Sequence, residues 1–590
     1  MSELSEMTLT HHAMLVAWGQ YAHCIGLIRA IEAVPLHQKA VTHRPQTKVL
    51  EFLVAILAGF EYLKDISLSA HPLDCDPVAA RAWGQPSWAD HSGVSRTLTS
   101  LSATEAQQIV LALESVSQPL IDKEVVAAWA TGRLELDADL SPRPVSDTSR
   151  TYPGAAFGHM SDHVGLGYQA AVVSMTSITY GRLGLSVVQH PGNTVSCTQA
   201  EALVLAAECR IGRRPWRRTD LLAQRICDAQ PAHVELAQKV AVAQDRLAQA
   251  QAALTEVQHQ VADGQQQVRT LQTAYTQRGR PERPHSQLAQ AKAQLTVYQR
   301  RQRRREGAVT QAESWLTRCQ AGLSAHDAEI ARLKQRRQRF EADNATNAAP
   351  LVASLRLDAG FDTPQNVALS IELGYEVYGK PFGTWLLPWL QSRVTPQSQW
   401  QRVGQNAEML AWPAVQLADF PYPLDVALEH FHTGNEIRTA ALLHFGQDNV
   451  TADLPHWFHY YNARQTIEAS HKESKGVFEV RHLKVRTPSA LLLQEQGALF
   501  AANFVRFAAR WLTEQCPQLP DGWKDSTHPE VKQQVKVGAH TTAWVTWPDQ
   551  GCLLRFETFS VYAGRSLTIN RTWAYQPVLP FAKSSLFEPI

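Results

Sequence analysis

Cysteine is scarce and scattered, eight residues in 590, with no Cys-x2-Cys pair and no Cys/His cluster at zinc spacing. That excludes a disulfide framework and a finger-type zinc site, and it fits a reducing compartment. Long uncharged apolar runs are missing too. The most apolar late stretch, 489–512, is interrupted by Gln494, Glu495, Gln496, Arg506 and Arg510, and the opening residues MSELSEMTLTHHAML have no basic segment followed by an apolar one. No membrane span or export signal is expected, and the expected location is the cytoplasm. No Gly-x4-Gly-Lys-Ser/Thr phosphate loop is visible, so no nucleotide cofactor is implied. Neither charge is in excess, since 56 Lys and Arg against 55 Asp and Glu leave a net +1. The total hides an uneven distribution: residues 277–305 hold nine Lys and Arg against one acid, Glu282.

A chain this long, 44% hydrophobic with 16 Trp, can bury several cores, and three or four domains are expected. Residues 1–130 read as a helical N-terminal domain: 12–33, 47–60 and 104–130 carry apolar residues at spacings of three and four, with Pro72, Pro77, Pro86 and Gly93 between them. Recognition of DNA ends and simple packing are both open for it. At Gly132 the period changes to two. Leu134, Leu136 and Ala138 alternate with Glu135, Asp137 and Asp139, the pattern of a strand with one buried face and one carboxylate-bearing face. Further strands are expected at 165–175 and 177–190 and a helix at 198–209, which makes 131–230 the first part of an α/β core.

Residues 231–343 are of another kind, poor in Gly and Pro and rich in Gln, Ala and Arg. Val240, Leu247, Leu254, Val261 and Val268 repeat every seven residues, and a second ladder runs through Leu288, Leu295, Val309, Leu316, Leu323 and Ile330. A Pro-rich turn at 278–284 separates them. Two such ladders predict an antiparallel coiled-coil hairpin with arms of about forty to fifty residues, or roughly 60 to 80 Å. Arg300, Arg301, Arg303, Arg304 and Arg305 lie toward its tip, either as a solvated charge run or as a contact for DNA or a partner. A second core segment is expected at 344–380, a β-rich insertion at 381–452, a third core segment at 453–515 and a small β-rich C-terminal region at 516–590, with strands at 531–547, 552–562 and 566–574.

The stretch 460–475 reads YYNARQTIEASHKESK. Tyr461, Arg464, Glu468 and Lys475 are spaced by three, four and seven residues, which on a single helix brings all four to one face. A carboxylate between two cations stays ionised, which suits a ligand for a hard metal ion rather than a general acid, while the cations suit phosphates. An exposed helix with incidental charge pairs is the plain alternative. The strand LVASLRLD at 351–358 ends in Asp358 much as the earlier strand leads to Asp139. Neighbouring parallel strands deliver their ends to one sheet edge, where Asp139, Asp358 and Glu468 can converge. Their mutual repulsion calls for a divalent ion, and Mg²⁺ suits an all-oxygen set.

The spacing Tyr461-x2-Arg464-x3-Glu468-x6-Lys475 resembles the YREK motif of the DDE transposases of bacterial insertion sequences. Leu-Asp-Ala-Asp-Leu-Ser at 136–141 resembles that family's first-Asp strand, and Leu-Arg-Leu-Asp-Ala-Gly-Phe at 355–361 its second. The element order over about 132–476, interrupted by two insertions, resembles an RNase H-like fold. What the resemblance implies is an α/β RNase H-like catalytic core that cuts double-stranded DNA at the element's terminal repeats and transfers the freed ends to target DNA. It further implies two Mg²⁺ ions, replaceable by Mn²⁺, on Asp139, Asp358 and Glu468, DNA contacts from Tyr461, Arg464 and Lys475, and a homodimer on paired ends. Asp137 shares the strand face with Asp139 and is the other choice for first ligand. Asp139 is preferred because it lies nearer the strand end. The coiled-coil hairpin departs from the family core. A catalytically silent DNA-binding derivative and a structural coiled-coil adaptor are the competing readings.

Overall fold

The computed structural model describes residues 7–39, 42–160, 163–194, 200–358, 360–361, 363–381, 386–418, 420–434, 436–515, 528–548, 551–557 and 566–569. Two compact units divide the chain: Arg217–Thr346 is one, and Met1–Trp216 with Asn347–Ile590 is the other.

In the larger unit a short strand, β1 (Thr8–Thr10), is followed by seven α-helices: α1 (Ala13–Cys24), α2 (Leu27–Glu32), α3 (Pro45–Leu57), α4 (Asp65–Leu68), α5 (Pro77–Ala82), α6 (His91–Thr99) and α7 (Ala103–Ala130). The helix expected over 12–33 is broken between α1 and α2, where Gly26 takes a left-handed φ of +76° that other residues rarely adopt. The first turn of α7 is closed reciprocally, the Ser102 hydroxyl accepting from the Glu105 amide and the Glu105 carboxylate accepting from the Ser102 amide.

A ten-stranded mixed sheet follows, with helices packed on it. Strand β4 (Val164–Ser177) pairs antiparallel with β3 (Ala156–His159), with β5 (Gly181–Pro191) and with β2 (Leu134–Pro144). Next to β2 lie β6 (Ala353–Leu357) and then β7 (Glu376–Gly379), both parallel to it. Strand β11 (Glu436–Phe445) is antiparallel to β7 and continues the sheet to β10 (Leu424–Thr433), β9 (Ala407–Val415) and β8 (Gln401–Arg402). The strands expected as a β-rich insertion therefore extend the same sheet that carries Asp139 and Asp358. Helices α8 (Ala200–Ile211), α11 (Pro364–Glu372) and α12 (Leu387–Gln391) connect these strands. Both faces of β2 are closed, not one. Leu134, Leu136 and Ala138 are at most 1% exposed, and the opposite row of Asp137, Asp139, Ser141 and Arg143 is also buried.

Toward the C-terminus, α13 (Leu454–Asn462), α14 (Thr466–Gly476), α15 (Pro488–Gln515) and α16 (His528–Lys536) follow. Residues 531–536, expected as strand, belong to α16: Val531, Gln534 and Val535 are the buried positions, and that spacing of three and one is helical rather than alternating. Strand β12 (Ala543–Thr546) pairs with β13 (Cys552–Phe556), which pairs with β14 (Ser566–Ile569). The other edge of β12 takes β1 (Thr8–Thr10), so the two ends of the chain share one small sheet. Residues 558–562 and 570–574 of the expected strands lie outside the described residues. Among the described residues no helix is long and apolar enough to cross a membrane.

The smaller unit is a helical hairpin of α9 (Thr219–Gln277) and α10 (Gln287–Ala345), each 59 residues and about 88 Å long at 1.5 Å per residue. It starts before the expected position at 231 because Pro231 sits inside α9 without ending it. His233 pairs with Asp327, the Arg246 guanidinium stacks on Trp315, and Gly264 faces Leu295. Residue numbers across the arms thus sum to a nearly constant value, the signature of an antiparallel pair. Ala243, Val257 and Val261 of α9 and Leu288, Ala291 and Ile330 of α10 form buried positions of the seam.

His444 on β11 shows how the extended sheet handles charge. It is fully buried, with Nδ1 3.0 Å from Asp425 Oδ2 and Nε2 2.9 Å from Glu376 Oε1. Burial pushes the imidazole pKa down, but the two carboxylates more than offset it and hold the pKa above its ordinary value. Glu376 and Asp425 are both held below theirs, burial again being outweighed by hydrogen bonds to His444. A raised His contributes stability below its unfolded pKa and loses it as pH rises through the folded one. Lowered carboxylates contribute above their unfolded pKa and lose it as pH falls. Stability should therefore decline as pH rises above about 6.5 and again below about 4. His444→Gln should remove the alkaline decline and cost about 3 kcal/mol in urea unfolding. An alkaline limb unchanged in the variant would show that His444 is not its source.

Candidate active site

The parallel register of β2 and β6 sets the site. Ala138 pairs with Leu357, so the next residue on each strand, Asp139 and Asp358, leaves the pair side by side. Beyond this point β2 continues to Pro144 beside β4 alone, whereas the β6 chain turns, the Phe361 amide donating to the Asp358 carbonyl. Asp139 is therefore not at a strand end, as the pattern suggested, but at the end of the parallel pairing. It is 8% exposed, and the Asp358 side chain is 37% exposed.

Arg464 joins the two. Its Nη1 lies 3.4 Å from Asp139 Oδ2 and its Nη2 donates to Asp358 Oδ1 at 3.0 Å. The Leu140 amide donates to Asp139 Oδ1 at 2.8 Å, and His471 Nε2 lies 3.3 Å from Asp139 Oδ2. Burial alone would raise the Asp139 carboxyl, but His471, Arg464 and the amide outweigh it and hold the pKa below the ordinary value. The carboxylate is ionised and ready to act as a ligand or an acceptor.

The segment 460–475 is not the single helix its spacing predicted. Helix α13 ends at Asn462, a 3-10 turn spans Ala463–Gln465, and α14 begins at Thr466. The tighter turn rotates Tyr461 and Arg464 relative to an ideal helical stripe. Tyr461 is buried at 3% exposure and donates its hydroxyl to the Leu357 carbonyl at 3.1 Å, so it holds β6 beside Asp358 rather than standing at the surface. Glu468 is exposed on the first turn of α14, four residues after Arg464 and three before His471, within one helical turn of each in sequence. Lys475 is half-buried; burial first and then Arg143 lower its pKa, against the pull of Asp139 and Glu495. Among the described residues, no three His, Cys, Asp or Glu side chains are arranged to hold a metal ion. The arrangement brings Asp139 and Asp358 together and leaves Glu468 on the adjacent turn.

Asp137, the other choice for first ligand, is fully buried, with both oxygens engaged: Arg356 Nε and Nη2 donate to it at 2.6 and 2.9 Å, and Arg182 adds a third contact. Arg356 also donates from Nη1 to the Tyr460 carbonyl at 3.1 Å, tying the end of α13 to β6. Pattern reading missed these residues, and His471 as well. An Arg in register with Asp137 on the neighbouring strand was a usable signal, but only once the register was known.

Two further buried pairs clamp the site to α15. Arg143 on β2 makes a bidentate pair with Glu495 at 2.7 and 3.0 Å, and Glu473 on α14 makes one with Arg506 at 2.8 and 2.9 Å. Removing one partner strands a buried charge, so Arg506→Ala or Glu473→Ala should cost about 3–5 kcal/mol of stability, whereas replacing both with apolar residues of similar volume should restore most of it. Urea unfolding tests this. A single-variant cost below about 1 kcal/mol, the worth of an exposed pair, would refute the clamp.

No family model matches the chain, and no curated protein matches it. The site therefore rests on its own geometry: two carboxylates in register at the end of a parallel strand pair, a guanidinium shared between them, and a cation-rich helix with an exposed glutamate. In the other unit, Arg300, Arg301, Arg303, Arg304 and Arg305 are all exposed on α10, with no ion-pair partner among the described residues.

Proposed function

We propose that the chain is a DNA transposase, an enzyme that cuts DNA at the ends of a mobile element and joins the freed ends to target DNA in a metal-dependent reaction. The observation that carries this reading is the shared Arg464 contact to Asp139 and Asp358, within the spacing Tyr461-x2-Arg464-x3-Glu468-x6-Lys475. The order β5-β4-β2-β6-β7, two antiparallel strands followed by two strands parallel to β2, supports an RNase H-like core. Asp139 is preferred over Asp137 because both oxygens of Asp137 are already taken by arginines.

The donor set fits a hard divalent ion in kind. Two carboxylates already share one cationic partner, and Glu468 is an exposed third acid four residues after Arg464. Asp139, Asp358 and Glu468 are the residues that would hold Mg²⁺ or Mn²⁺. A metal held there would supply Lewis acidity toward an attacking water or 3′-hydroxyl and toward the leaving oxygen. Arg464 balances the two aspartates, and its Nε is buried without a hydrogen-bond partner among the described residues. Lys475 adds a second cation near Asp139. Tyr461 positions the strand, and the α14 clamps keep Arg464 and His471 in place. The helical N-terminal segment is the proposed reader of the terminal repeats, the active assembly a homodimer on paired ends, and the site of action the cytoplasm.

The test is cleavage of a duplex that carries the element's own terminal repeats, with Mg²⁺ and with EDTA. Metal-dependent nicking at the repeat boundary is the expected result. The placement of Glu468 outside any three-ligand group favours a second reading, a DNA-binding protein without catalysis. Binding of the repeats with no cleavage in either metal would establish that reading instead.

A further inference from the structure

The hairpin is polarised in charge. Its distal portion, residues 264–305, carries ten Lys and Arg and a single acid, Glu282, while the segments nearer its base, 217–263 and 306–346, carry eleven Lys and Arg against twelve Asp and Glu. The pairing follows the same division. Toward the base, Arg217 meets Asp343, Arg225 meets Glu329, and Arg337 meets Glu341. In the distal portion the one acid is paired with Lys292, and Arg300, Arg301, Arg303, Arg304 and Arg305 are exposed and without a partner among the described residues. Arg304 lies nine residues beyond Leu295, which faces the other arm at Gly264, so at about 100° per residue it points directly away from the seam, with Arg300 and Arg301 on either side of it. None of these charges serves the packing of the two arms.

From this we infer that the distal half of the hairpin is a second nucleic-acid site, one that holds the phosphate backbone of a duplex without reading its sequence. Unpaired arginines present planar, forked donors that fit phosphate oxygens. The accompanying exposed residues are mostly Gln, such as Gln290, Gln294 and Gln299, which add hydrogen bonds to phosphate and sugar. A protein partner would call for an apolar centre, and Val297 is the large hydrophobic that stands exposed in this portion. The 45 residues of α9 before Gly264 hold the site about 65 Å from the start of the rod, so it binds a segment other than one seated on the hairpin's base. The choice of DNA over duplex RNA rests on the proposed transposase reading. The affinity for phosphate does not.

The experiment measures binding of the full chain, in EDTA, to a fluorescent duplex of arbitrary sequence and about 30 base pairs, across a range of salt. Changing the five clustered arginines to Gln should weaken binding at least about tenfold at low salt and flatten the log–log salt slope by about 0.9 for each phosphate no longer neutralised. Two controls accompany it: the same five changed to Lys, which should retain most of the slope, and a variant with Arg318, Arg332, Lys334, Arg336 and Arg337 changed to Gln, which should bind like the unmodified chain. Circular dichroism confirms that each hairpin is helical. Equal losses in the distal and basal variants would make the binding a bulk-charge effect and overturn the inference, as would an unchanged distal variant. Loss of self-association with DNA binding intact would assign the face to a second copy of the chain and overturn it as well. Tighter binding of duplex RNA than DNA would leave the phosphate site standing and count against the transposase reading. Because the assay needs no metal and no terminal repeat, its failure is separate from failure of the cleavage test.

Discussion

Asp139→Ala, Asp358→Ala and Glu468→Ala are each expected to lower strand cleavage at the terminal repeats by about a thousandfold or more, equivalent to about 4 kcal/mol of transition-state stabilisation. Binding of the same DNA should change little. Asp139 and Asp358 sit at the backbone positions that follow the last register pair of β2 and β6, and each single variant still leaves Arg464 one of its two carboxylates. Glu468 is exposed, and its replacement costs no buried contact. Asp137→Ala separates a ligand from a structural charge. It leaves Arg182 and Arg356 buried without their acid, so it should lower the unfolding midpoint. A stable Asp137→Ala protein that binds DNA and cannot cut it, beside an active Asp139→Ala protein, would reverse the assignment of the first ligand.

Arg464→Ala carries the second large effect, and it needs no DNA to be seen. The guanidinium is the shared countercharge of two carboxylates, one of them buried. Its removal should destabilise the metal-free protein by about 3 kcal/mol, the lower end of the range for a buried pair because Asp358 is 37% exposed. Added Mg²⁺ should then raise the thermal midpoint of the variant more than that of the unmodified chain, since the ion supplies the charge that Arg464 provided and binds only the folded state. Arg464→Lys should fall between the two, because one ammonium cannot fork between two acids. Thermal unfolding with Mg²⁺ and with EDTA reads this directly. An identical response to Mg²⁺ in variant and parent would mean that the ion and Arg464 do not serve the same carboxylates.

How far the site could be read ahead depended on the kind of signal each residue carries. The alternation of Leu134, Leu136 and Ala138 and the run at 353–357 identify two strands locally, because a period of two needs no partner to be visible. The seven-residue ladders likewise specify two long helices. The break within 460–475 was hidden: Asn462 to Thr466 has no Gly or Pro, and the 3-10 turn coincides with the place where Arg464 reaches two aspartates and Arg356 reaches the Tyr460 carbonyl, all of them contacts over a hundred residues distant in sequence. For the same reason Val531, Gln534 and Val535 read as strand until their burial on one face of α16 was seen.

By itself, the sequence determined the strands that carry Asp137 and Asp139 and that lead to Asp358, the hairpin and its charge polarity, and the candidates Asp139, Asp358, Glu468, Arg464 and Lys475, because composition, period and spacing are properties of neighbouring residues. Tertiary structure decided which acid is sealed and which is available. Asp137 and Asp139 are two residues apart on the same strand face, and nearness to a strand end, the local ground for choosing between them, does not separate them, since β2 continues to Pro144. The register of β2 against β6 places Arg356 opposite Asp137 and leaves Asp139 beside Asp358, and that register is set by packing between positions 219 apart in sequence. Charge pairing follows distance in space, and distance in space is what a linear pattern does not contain.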